Sequence, residues 1–110
     1  KQDLDLRDIK VDYKDSEGVR VKNMYQAWQN EIGQLDVENH LNRLTKSFSW
    51  KNASRDTRIA QVSHTIRSLR EMALGNMLKD MPIMKKLLIQ ARINRHKAKL
   101  KTKMSQGLSG

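Results

Sequence analysis

Residues 82–104 read PIMKKLLIQARINRHKAKLKTKM, and this stretch decides the fold. It holds eight basic residues, Lys85, Lys86, Arg92, Arg95, Lys97, Lys99, Lys101 and Lys103, and no Asp or Glu. Proline is favoured in a first helical turn because its φ is already near the helical value and its missing N–H costs no bond there. Asp80, just upstream, complements the positive end of the helix dipole. At about 100° per residue, Ile83, Met84, Leu87, Leu88 and Ala91 form one apolar stripe, and Ile89, Ile93, Leu100 and Met104 form a second on roughly the opposite side. A helix with two apolar faces needs two neighbours. The expectation is a long basic helix held between its own domain and something outside it.

Working outward, 110 residues make one modest domain at most. The formal charge of +10 is unevenly spread: residues 1–17 carry six acidic and four basic groups, whereas residues 81–110 carry eight basic and none acidic. Such a balance favours a polyanionic partner, though it says nothing about fold. With no cysteine there is no disulfide framework, which fits an intracellular chain, nuclear in preference to cytoplasmic given the basic surface. Apolar runs are too short for a membrane-spanning helix, and no secretory signal is visible. The first residue is Lys, so the expectation is a fragment or a processed chain.

Upstream of the basic helix the pattern predicts three more. Val21, Met24, Tyr25, Trp28, Ile32 and Leu35 share one helical stripe, giving a helix over about 19–35. Asp36 is a good N-cap for a second helix over 37–48, with stripe Val37, Leu41, Leu44 and Phe48. Ser54 or Asp56 caps a third over 55–75, with stripe Ile59, Val62, Ile66, Leu69, Ala73 and Met77, ended by Gly75 and Asn76. Before these, residues 1–18 form an extended acidic arm in which Leu4, Leu6, Ile9, Val11 and Tyr13 alternate with charge, closed by the turn-forming KDSEG at 14–18. After them, residues 105–110 read as a flexible tail. The fold class expected is therefore all-α, a small bundle of three to four helices with an extended N-terminal arm and a long basic C-terminal helix.

Chemistry is harder to find than charge. His40, His64 and His96 fall on three different helices without ligand spacing, and no metal or cofactor site is expected. There is no glycine-rich phosphate loop, nucleophile elbow or dinucleotide fingerprint, so neither an enzyme nor a small-molecule substrate is indicated. Asn52-Ala53-Ser54 matches a glycosylation acceptor by chance in a chain without a secretory signal. Tyr25, Trp28 and Phe48 read as core. Trp50 lies off the second helix's stripe and is a candidate partner contact, able to stack on a base or plug a pocket.

The basic helix remains. As a nucleic-acid element its eight cations would contact backbone phosphates, with Lys as point charge and Arg92 or Arg95 as the possible forks. Lys46, Lys51, Arg55 and Arg58 form a second basic cluster that would extend this surface. Composition does not separate DNA from RNA. In the alternative, Ile89, Ile93, Leu100 and Met104, with Trp50, dock a protein partner or a second copy while the charge steers an acidic protein. A membrane-surface helix would want a broad apolar face edged by aromatics, which this stretch lacks.

Overall fold

The computed structural model describes residues 4–109, the side chains of residues 108 and 109 excepted. Asp3 of the alternating segment, with Lys1 and Gln2 of the arm and Gly110 of the tail, lies outside the described residues. The described residues are 75% helical, and their order is a 3-10 turn Leu6–Asp8, strands β1 (Lys10–Lys14) and β2 (Arg20–Asn23), then helices α1 (Met24–Gly33), α2 (Val37–Thr45), α3 (Phe48–Lys51), α4 (Arg55–Asp80) and α5 (Pro82–Ser109). Helix dominates, but the class is not purely α. The chain divides into two compact units, one made of residues 1–26 and 78–110 and the other of 27–77.

In the first unit, the expected extended arm is one half of an antiparallel hairpin. β1 and β2 pair with Tyr13 opposite Val21 and Lys14 opposite Arg20, and the ladder is irregular between Lys10 and Tyr13. The turn is built by Asp15: its carboxylate accepts from the N–H groups of Glu17 and Val19, each at 2.9 Å. Gly18 supplies the left-handed residue at φ 82 that closes it. An ion pair joins Asp12 to Arg20 across the strands. A second joins Asp5 to Arg7 at 2.8 Å, and the guanidinium's hydrogen bond holds the Asp5 carboxyl below the usual carboxylate range.

The helix expected from residue 19 therefore begins five residues later. Residues 20–23 are a strand because the hairpin turn aligns them with β1 and because Val21 alternates with charged Arg20 and Lys22. Asn23 then starts α1: its side chain accepts from the Gln26 N–H at 2.9 Å, and the Gln26 side-chain Oε1 accepts from the Lys22 N–H at 2.6 Å. This reciprocal pair is a capping box shifted by one residue. Among the described residues, Ile9, Val21, Met24, Met84 and Leu88 are the buried apolar side chains of this unit.

The second unit buries Ala27, Leu69, Ala73 and Met77. Within it α1 is tied to α4 by the Trp28 indole N–H, which donates to the Arg70 carbonyl at 2.9 Å. Asp36, held in the left-handed region at φ 52, caps α2 by accepting from the Asn39 N–H at 3.2 Å. α2 ends at Thr45, three residues short of the expected end. Ser47 starts the separate turn α3, its hydroxyl accepting from the Trp50 N–H at 3.2 Å. The break takes Phe48 out of phase with Leu41 and Leu44, and it stands 82% exposed where a core position was expected. Tyr25, also expected in the core, is 36% exposed, with the Arg7 guanidinium 6.0 Å from its ring centroid.

Ser54 caps α4 through the Thr57 N–H at 3.2 Å. α4 passes through Gly75 and Asn76, where an end was expected, and stops at Asp80. One residue, Met81, separates it from Pro82, which fits the bias against helical backbone immediately before proline. Nor does α5 stop at Met104: the expected tail is helical through Ser109, since one glycine and no proline interrupt it. α5 spans 28 residues, a rod of about 42 Å.

Candidate functional site

α5 presents its residues in four sectors. Met84 and Leu88 are buried, Leu87, Ala91 and Arg95 are half-buried, and together they define the inner side. Opposite them, Ile89 (46%), Ile93 (42%), Leu100 (46%) and Met104 (67%) stand exposed, all within about 60° of arc on the helix. Ile83, assigned by periodicity to the inner stripe, is 57% exposed instead. It lies about 100° from Met84, on which the inner side is centred.

Cations fill both sectors between. On one side Lys85, Arg92, Lys99 and Lys103 form a line about 27 Å long, four near-superimposed positions on the helical wheel. On the other side are Lys86, Lys97 and Lys101. All of these are exposed, whereas Arg95 is half-buried on the inner side. Every residue from His96 to Gly107 is exposed, so the second half of α5 is uncovered on all faces. An isolated helix of that length is marginal in water. Arg95, Ala98, Lys99, Thr102, Lys103 and Gln106 border a shallow surface depression along this half.

Trp50 occupies a different setting from these residues. It is half-buried, and the Arg58 guanidinium lies 5.2 Å from its ring centroid. Arg58 donates from Nε to the Trp50 carbonyl at 2.9 Å and from Nη2 to the Lys51 carbonyl at 3.3 Å. Both carbonyls lie in the last turn of α3, where the Trp50 oxygen also accepts from the Ala53 N–H at 3.1 Å, and Arg58 adds a cationic cap to them. One of the four groups in the expected second basic cluster is thus committed to holding Trp50 in place. Lys46, Lys51 and Arg55 remain exposed. Trp50, Arg55, Arg58, Ile59, Val62 and Ser63 border a cleft of about 300 Å³. The clasp eluded the sequence reading, although a Trp followed eight residues later by an Arg in a new helix's first turn was visible.

No three of the described His, Asp or Glu side chains gather into a group able to hold a metal ion. No helix among the described residues is long and apolar enough to cross a membrane. Of the three histidines, His40 is half-buried on α2, while His64 on α4 and His96 on α5 are exposed. What the arrangement offers chemically is charge and apolar surface on one rod: a mostly helical basic protein with an uncovered cationic C-terminal helix. Compared with protein-family models, characterised proteins and solved structures, the chain finds no match.

Proposed function

We propose that this chain is a non-enzymatic helical module of an intracellular, nucleic-acid-associated assembly, nuclear in preference to cytoplasmic, that grips the nucleic-acid backbone through α5. The observation that carries this reading is the line of Lys85, Arg92, Lys99 and Lys103. All four are exposed on one edge of a helix that contains no acidic residue. Phosphates attract such a line without regard to sequence, because the gain comes from released counterions. Lys dominates, and the ammonium is a point charge without the fork that reads a guanine edge, so backbone contact is the mode. The second unit offers exposed cations of its own in Lys46, Lys51 and Arg55.

A mobility-shift titration with duplex DNA and duplex RNA tests this. Four phosphate contacts imply affinity that falls roughly a hundredfold between about 50 and about 200 mM salt. Arg92→Glu with Lys99→Glu should abolish the shift while circular dichroism stays unchanged. Absence of any shift at the lower salt removes the reading.

A second reading has its own observation. Ile89, Ile93, Leu100 and Met104 are exposed together on the outer side of α5, and phosphates would leave them wet. They suit a protein partner, which makes the chain an interaction module or adaptor.

A further inference from the structure

We propose that the outer stripe of α5 is the docking face for an acidic amphipathic helix belonging to another protein. This rests on the interaction reading above and is independent of the nucleic-acid one.

The stripe has the dimensions of a helix partner. Its four side chains follow one another at intervals of four, seven and four residues, over about 22 Å of rise. An arc of about 60° is the width of a single seam of knobs; a bilayer surface is met by a broader apolar face. Between Ile93 and Leu100 no residue falls within the stripe, with His96 and Lys97 on either side of it, which leaves a step in the seam.

Charge selects the occupant. Lys86 and Lys97 border the stripe on one edge and Lys85 and Lys103 on the other, all four exposed. In a helix pair these are the flanking positions, where the partner's side chains of opposite sign come to rest. A second copy of this chain would bring lysine against lysine on both edges, with no acidic residue anywhere in residues 81–110 to relieve it. Like charges directly opposed count against that pairing. A partner with an aliphatic stripe and Glu or Asp on both sides satisfies the seam and both edges at once. It also covers the half of α5 from His96 onward, where every side of the helix is exposed.

The test uses the full chain and two labelled synthetic helical peptides with the same leucine seam, one edged on both sides by Glu and one by Lys. Fluorescence anisotropy should show the Glu-edged peptide binding at least about tenfold more tightly than the Lys-edged one. Ile93→Asp with Leu100→Asp should weaken the Glu-edged peptide by at least about tenfold with helicity unchanged. Lys86→Glu with Lys97→Glu should shift the preference toward the Lys-edged peptide, a gain that unfolding cannot mimic. Equal binding of the two peptides overturns the proposal, as does binding indifferent to the Asp substitutions. Sedimentation of the chain alone as a dimer that those substitutions dissolve overturns it in favour of a second copy. Binding to anionic vesicles, lost with the same substitutions while the peptides fail, overturns it in favour of a membrane surface. Duplex mobility shifts run beside these keep the two readings apart: peptide failure with an intact shift sinks this proposal alone, and the converse sinks only the nucleic-acid reading.

Discussion

Gly18 shows how one residue fixes the first unit. With φ at 82 and nothing within 4 Å of where a Cβ would sit, any cost of substitution there is backbone strain free of packing. Gly18→Ala should therefore destabilise by about 1 kcal/mol, with Gly18→Asn milder because asparagine tolerates left-handed backbone. Urea unfolding measures both, and an alanine variant of unchanged midpoint would show the turn to be built otherwise. Asp36 tolerates a related conformation at φ 52 because its carboxylate gains the Asn39 N–H as it caps α2. Arg58 was legible only as a positive charge. Its hydrogen bonds to the Trp50 and Lys51 carbonyls depend on where α3 ends, and α3, apart from Phe48, falls in the gap between the expected second and third helices.

At the scale of the element, helix extent was misjudged in both directions for reasons that local signals contain. Gly75 and Asn76 resemble a stop, yet α4 continues to Asp80 because Met77 buries completely and packing outweighs a glycine's propensity cost of about 1 kcal/mol. Gly75→Ala, at an exposed helical position with open space around the new methyl, should accordingly stabilise by about 0.5–1 kcal/mol. Thermal unfolding followed by circular dichroism reads the gain, and a lower midpoint would mean that the glycine is needed where it stands. The first five residues of α1's expected span went the other way. Val21 fits a helical stripe and a strand face equally well, and only the turn at residues 15–18, by returning the chain antiparallel to β1, selected the strand.

For the molecule as a whole, the charge and the core pull against each other. The described buried apolar side chains are Ile9, Val21, Met24, Ala27, Leu69, Ala73, Met77, Met84 and Leu88, a small set for 110 residues. A net charge of +10 adds self-repulsion. Any polyanion that binds the folded state should then raise the unfolding midpoint by mass action, about 2.7 kcal/mol at a hundredfold excess over Kd. In a chain of this size each kcal/mol corresponds to about 4 °C. Calorimetry with and without duplex at low salt should show the rise, and high salt should remove it; a midpoint unmoved by duplex at low salt would count against α5 as a phosphate-binding surface.

The sequence by itself determined the predominance of helix, the long C-terminal rod beginning at Pro82, the concentration of positive charge upon it and the two opposed apolar stripes. These follow from periodicity, composition and proline chemistry, all of which act over neighbouring residues. Tertiary structure alone decided that residues 20–23 pair with β1 in place of starting a helix, that Phe48 is turned outward, that Trp50 is held under Arg58, and that α5 is uncovered from His96 onward. Those outcomes depend on contacts between separate elements, where a residue's neighbours in space, and not its spacing along one helix, set whether its surface is buried.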